Sequence, residues 1–216
     1  MARVTVVGGH GKVALLATPL LVADGHQVTS IIRSEDQATE IRELGATPLV
    51  ADMESMNTAA MAERFRGAEV IVWSAGAGGG NPSRTEAVDR DAAIRSMAAA
   101  ADAGVPRYVM ISYLGAGPDH GVPEGDSFHP YAEAKAAADA ALRASPLSWT
   151  ILMPSRLTDA PGTGRIDDGS GPSASVTRAD VAEVVRRVVA AEPATVAGQD
   201  IPFNNGELAI MDVIGR

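Results

Sequence analysis

Near its start the chain reads Val6-Val7-Gly8-Gly9-His10-Gly11-Lys12-Val13-Ala14, three glycines between a β-branched run and an amphipathic stretch. A strand that ends in glycines and passes straight into a helix leaves backbone N–H groups, and the positive end of the helix dipole, facing whatever lies beyond the sheet. The segment fits two registers, Gly9-x-Gly11-x-x-Ala14 and Gly8-x-x-Gly11-x-x-Ala14. In both, the glycines permit a tight turn and a close approach to a diphosphate, and Ala14 is small enough for helix and strand to pack closely. The Gly11-Lys12 pair raises the alternative of a P-loop. That reading fails because Val6 stands where its first glycine belongs and Val13 replaces the magnesium-binding hydroxyl. A dinucleotide site is expected here, formed by Gly8, Gly9, His10, Gly11, Lys12 and Val13. The plain alternative is a glycine turn with no ligand.

The rest of the chain suits that turn. Short Val/Ile-rich runs at 3–7, 27–32, 47–51, 69–74, 107–112 and 148–153 alternate with helical stretches near 11–24, 35–44, 57–66, 83–103, 130–144 and 178–191. Continuous apolar strands separated by helices predict a parallel sheet covered on both faces, an α/β doubly wound fold. Its 216 residues suit a single domain with a small C-terminal extension. Ser34-Glu35-Asp36-Gln37 reads as a capping box, and Gly45 and Gly104 as helix C-caps. Three stretches read as loops after strands: 76–82, 114–130 and about 155–176. With 200–216, the last is expected to shape the substrate side, because open α/β sheets bind ligands beyond the carboxyl ends of their strands.

Composition narrows the partners. A net charge of −9 argues against nucleic acid and anionic membranes, which select basic surfaces. There are no cysteines, which excludes disulfides, thiolate metal sites and thiol nucleophiles. No run approaches the ~18–20 apolar residues of a membrane span. Arg3 leads directly into a strand rather than into a signal-peptide core. A cytoplasmic protein, monomer or homodimer, is expected. None of the four histidines shows metal-ligand spacing, and no metal is expected.

Further residues refine the site. About twenty positions after the glycines, where an acidic residue would hold an NAD ribose, the chain has Arg33-Ser34. A guanidinium can grip a 2′-phosphate with forked, charge-assisted hydrogen bonds, so NADP(H) is favoured over NAD(H). The alternative is a surface arginine paired with Glu35 or Asp36. Asp52, beside Met53, can accept from the adenine amino group or simply make a turn. Ser74, Ala75 and Gly76 are small enough to pass the ribose and nicotinamide. Tyr131 and Lys135, four apart, share a helix face. A lysine beside a phenol lowers its pKa and makes it a better acid or base near neutrality. The same lysine can hold the nicotinamide ribose. Ser112, or Tyr113 in its place, can orient a carbonyl substrate.

Together these segments, with Val88-Asp89-Arg90-Asp91, Arg178-Ala179-Asp180-Val181-Ala182 and Phe203-Asn204-Asn205-Gly206, resemble the atypical short-chain dehydrogenase/reductases, near their NmrA-like and flavin-reductase-like members. The resemblance implies a Rossmann fold, a nicotinamide dinucleotide and a small-molecule substrate. It also implies adenine contact by Asp52, a cofactor-facing Asp89 and a nicotinamide bordered by Pro154. In an active member Tyr131 donates the proton, with Lys135 its partner. Two departures stand out: paired serines are replaced by Ser112-Tyr113, and Ser155 replaces the glycine usual after Pro154. The expected activity is hydride transfer to a small carbonyl, quinone or flavin. The alternatives are a non-catalytic NADP(H) sensor or regulator and a nucleotide-sugar epimerase/dehydratase-like enzyme.

Overall fold

The computed structural model describes residues 1–78, 81–171 and 175–214. Six strands form on the apolar runs: β1 (Arg3–Val7), β2 (Gln27–Ile32), β3 (Thr47–Val50), β4 (Val70–Trp73), β5 (Arg107–Ile111) and β6 (Ser148–Pro154). All pair in parallel, in the spatial order β3-β2-β1-β4-β5-β6. The order reverses between β1 and β4, and a crevice opens there beyond the strand ends.

The helices are α1 (Lys12–Ala23), α2 (Ala38–Glu43), α3 (Thr58–Phe65), α4 (Pro82–Thr85), α5 (Ala93–Asp102), α6 (His129–Arg143) and α7 (Arg178–Ala190), followed by two short ones, α8 (Pro193–Val196) and α9 (Ile210–Val213). Glu86–Ala92 joins α4 to α5 as a π-helical segment. Because strand side chains alternate, two cores form. Val4, Val6, Val70 and Val72 pack with Leu21 of α1 and Val181, Val184 and Val185 of α7. Val7, Ile71 and Trp73 face the other way, onto Met61, Phe65, Met97 and Leu142. Ala99, Ala100 and Ala138 are buried in this second layer, so these alanines serve packing within the domain.

Gly45 and Gly104 close their helices at φ 82° and 71°, as their positions require. The capping box does not form. Ser34 caps nothing with its side chain, and Glu35–Gln37 is a 3-10 turn ahead of α2. The Gln37 side chain reaches back to the Arg33 amide instead, at 3.2 Å.

The region after β6 is more structured than expected. The 155–176 stretch, which reads as a loop, carries β7 (Arg156–Thr158) and β8 (Arg165–Asp167) and runs into β9 (Ser175–Thr177). Beyond α7, β10 (Gln199–Asn205) extends the parallel sheet along β6. Its last residues then pair antiparallel with β8, which also pairs with β11 (Leu208–Ala209). Asp180 ties this extension together. Its carboxylate accepts from the amides of Thr163 and Gly164, the Thr177 hydroxyl and the Asn205 side chain. Burial alone would raise its pKa, yet these donors hold it below the ordinary carboxylate range. Among the described residues no helix is long and apolar enough to cross a membrane.

Candidate functional site

The carboxyl ends of β1, β4 and β5 open on a cleft with two lobes. One, of about 200 Å³, is lined by residues that include Gly8, His10, Gly11, Arg33, Asp52 and Met53. The other, of about 910 Å³, is lined by residues that include Lys12, Val13, Asp89, Ser112, Tyr131 and Lys135. Gly11, Ser74, Ala75 and Gly76 belong to both, so the lobes meet beside the glycine turn. Gly9, Ser34 and Pro154 are not among the residues that line either lobe. A Cβ on Gly9 would lie 2.6 Å from Ser30 Cβ, so this glycine permits strand packing. Ser34 is exposed ahead of the 3-10 turn. Pro154 is buried at the end of β6, its carbonyl taken by the Leu114 amide at 2.8 Å.

The turn fits a dinucleotide diphosphate on its own geometry. Gly8 has φ +79°, and a Cβ there would lie 2.6 Å from Ala75 Cα, a backbone atom. No side chain caps α1 at Gly11, so the amides of its first turn are left to a ligand. Gly8→Ala is expected to destabilise the fold by about 2 kcal/mol or more, from left-handed strain plus the contact with Ala75. It should also abolish any thermal response to dinucleotide. An unchanged melting midpoint would contradict this assignment.

In the smaller lobe Arg33 has no carboxylate partner among the described residues, while Glu35 pairs with Arg42. Asp52 makes the turn considered for it, its Oδ1 accepting from the Glu54 amide and its Oδ2 from the Ser55 hydroxyl, and it also lines the lobe. His10 bridges outward, with Nε2 2.7 Å from Glu40 Oε2 and Nδ1 3.3 Å from the Gln37 amide nitrogen. Where the lobes meet, Asp89 is 2% exposed within the π-helical segment. Its Oδ2 accepts from the Ala77 amide at 3.0 Å, which fixes the start of the loop after β4. A Cβ on Gly76 would come within 2.9 Å of Asp89 Oδ1, so that glycine answers a close approach. Burial raises the Asp89 carboxyl, against the Ala77 hydrogen bond and the Lys135 charge. Gly79 and Gly80, in the 76–82 stretch, lie outside the described residues.

The larger lobe contains the tyrosine–lysine pair. Lys135 is 1% exposed, and its ammonium donates to the Ile111 carbonyl at 2.8 Å. Burial lowers its pKa, while Asp139 and Asp89 oppose that shift. The expected lowering of the Tyr131 phenol does not occur. Burial first, then the charges of Asp89 and Asp139, push it above the ordinary tyrosine range. Ser112 faces the lobe, and Tyr113 stacks behind, 5.2 Å from Phe128 and 5.6 Å from Tyr131 between ring centroids. The Ser112 hydroxyl donates to Asp139 Oδ2 at 2.5 Å. Its proton is therefore committed, and what it offers a ligand is acceptor lone pairs.

Asp139 escaped the sequence reading because an acid four residues after Lys135 in an alanine-rich helix looks solvated; it is wholly buried. Arg178, in the lobe wall, was visible only as part of a motif. His120, His129 and Glu133 bring three potential ligand atoms within 4.8 Å of one another. The Val122 amide donates to His120 Nδ1, which puts the neutral ring's proton on Nε2, aimed at Glu133 Oε1 at 2.8 Å. This is a hydrogen-bonded latch between the loop after β5 and α6.

A family model described as NAD(P)H-binding matches residues 8–192. YhfK of Bacillus subtilis, described as an uncharacterized sugar epimerase, is 31% identical over 187 residues, covering 85% of this chain and 86% of that protein. A Bacillus halodurans structure described as an NAD-dependent epimerase/dehydratase is 31% identical, with TM-score 0.90, covering 99% of this chain and 98% of that one. The oxidoreductase YlbE of Lactococcus lactis is 27% identical, with TM-score 0.86 over 97% and 94% of the two chains.

Proposed function

Because the chain belongs to the NAD(P)H-binding family, we propose that it is an NADP(H)-dependent oxidoreductase acting on a small carbonyl, quinone or flavin. The observation that carries this reading is the two-lobed cleft meeting at Gly11, Ser74, Ala75 and Gly76. The smaller lobe takes the adenosine half, with Arg33 on the 2′-phosphate and Asp52 on the adenine edge. The larger lobe takes the nicotinamide and the substrate. The nicotinamide, when bound, supplies the hydride equivalent. The chain's own residues do the rest. Amides of the glycine turn hold the diphosphate, Lys135 the adjoining ribose, and Tyr131 holds a proton at its hydroxyl for a carbonyl oxygen. Ser112 accepts from a ligand hydroxyl, and the described residues of 155–176 and 200–216 shape the substrate side; 172–174 and 215–216 lie outside the described residues. The absence of cysteine suits a reducing compartment, and the reading places the protein in the cytoplasm.

The test is a titration with NADPH and NADH, followed by NADPH absorbance with a panel of aldehydes, quinones and flavins. Saturable NADPH binding with turnover supports the reading; no response to either nucleotide at millimolar concentration overturns it. Arg33→Ala should weaken NADPH by about tenfold or more and NADH little, as loss of a charge-assisted hydrogen bond requires. Equal losses would remove the NADP assignment. The names of the two relatives at 31% identity favour one second reading, an epimerase-like enzyme that keeps its cofactor through a cycle. Such an enzyme co-purifies with bound dinucleotide, and a sensor binds it without turnover.

A further inference from the structure

We propose that Lys12 and Arg178 form an anion subsite at the lip of the larger lobe, built for a carboxylate carried by the substrate, and that Asp159 occupies it when no substrate is bound. The proposal rests on the reading of this lobe as the substrate side.

Lys12 opens α1 and Arg178 opens α7, and both line the same lobe. Between them stands one carboxylate. Asp159, from the connection between β7 and β8, accepts from Lys12 Nζ at 2.8 Å through Oδ2 and from Arg178 at 2.7 Å through Oδ1. The hydrogen bond from Lys12 is the largest influence holding its carboxyl below the usual range, with Arg178 adding to it. Two cations thus share one anion, leaving a local charge of +1 in a chain whose net charge is −9. A guanidinium has five N–H donors, and Asp159 uses one of them. Among the described residues the others have no acceptor, so the fork is free to take a second carboxylate oxygen.

Asp159 is poorly anchored for a structural partner. Its side chain is 63% exposed and makes no other hydrogen bond to the described residues. Its pair with Lys12, whose side chain is 67% exposed, is of the kind that opens easily. A ligand carboxylate arriving from the lobe can therefore replace it on the same two cations. The same lobe is also lined by Phe128, Tyr131 and Leu157. An apolar or aromatic body with a carboxylate at one end fits both features, with its reducible group near Tyr131. Arg178 lines the larger lobe and not the smaller one, which keeps it away from the lobe assigned to the adenosine half of the cofactor.

The experiment is calorimetry on protein saturated with NADP⁺, with benzoate and benzamide as probes of equal shape and different charge. Benzoate should bind at least about tenfold tighter than benzamide, and the difference should shrink in high salt. Arg178→Gln should erase the preference while NADP⁺ affinity stays unchanged. Asp159→Asn should tighten benzoate severalfold by removing the internal competitor. Equal affinities for the two probes in the unaltered protein overturn the proposal, as does an Asp159→Asn protein that binds benzoate no better. If Arg178→Gln weakens NADP⁺ rather than benzoate, the two cations serve the diphosphate and the proposal is likewise overturned. Failure of NADP⁺ to bind at all would strike the oxidoreductase reading instead, and is visible in the first titration.

Discussion

Tyr131→Phe is expected to cut NADPH-dependent reduction of a carbonyl by about 10²-fold or more, the usual worth of a positioned general acid, while leaving NADPH affinity nearly unchanged. The substitution removes one oxygen and keeps the ring that packs on Phe128 at 5.1 Å. The pH dependence gives a second reading. Burial and the nearby Asp89 and Asp139 carboxylates raise the phenol above its ordinary value, so its protonated form persists through neutral and mildly alkaline pH. An acid that must give a proton loses rate only as pH climbs through its pKa. The carbonyl rate should therefore show no tyrosine-dependent fall between about pH 6 and pH 9. A descending limb near pH 7 that disappears in Tyr131→Phe would mean that the phenol ionises early, against the structure. Quinones and flavins accept hydride without a strong acid, so with them the loss should be far smaller.

That pKa direction shows where sequence reasoning reached its limit. Four-residue spacing places Tyr131 and Lys135 on one face of α6, and the structure agrees. Spacing carries no information on how deeply each is buried, nor on which carboxylates surround them. Asp139 is four residues from Lys135 and could have faced water. It is buried because α6 packs against β5, where Ser112 waits at the strand end. The glycine turn was legible for the opposite reason, since its requirement is local. Only glycine suits Gly8, with φ +79° and a neighbouring backbone at 2.6 Å.

The same contrast divides the fold. β1, β2, β4 and β5 are apolar runs bounded by turns, and the sequence names them within a residue or two. β7, β8 and β9 have three residues each, too few to show a period. β10 reads Gln-Asp-Ile-Pro-Phe-Asn-Asn, with polar ends and an interior proline, which argues against a strand. It forms because β6 offers an open edge and because Asp180 captures Asn205. Both are tertiary facts, separated in the chain by tens of residues.

Lys135→Met tests the buried charges directly. Methionine keeps much of the volume and removes the ammonium, leaving Asp89 and Asp139 buried with no cation between them. Stranding a buried charge in this way costs about 3–5 kcal/mol, which should appear as a large fall in the urea midpoint at pH 8. The sign of the pH dependence follows from the carboxyls. Burial already raises both, and the lysine charge restrains that rise, so removing it raises them further. A carboxyl with a raised folded-state pKa favours the fold when protonated, and stability is lost as pH rises from the unfolded value, near 4, through the raised one. The deficit relative to the unaltered protein should therefore be clearly smaller at pH 5 than at pH 8. Adding Asp139→Asn should recover much of it at pH 8, since the amide can still accept from Ser112 and carries no charge. A deficit equal at both pH values, and untouched by the second substitution, would mean that Lys135 stabilises the domain through packing alone and that the carboxylates do not depend on it.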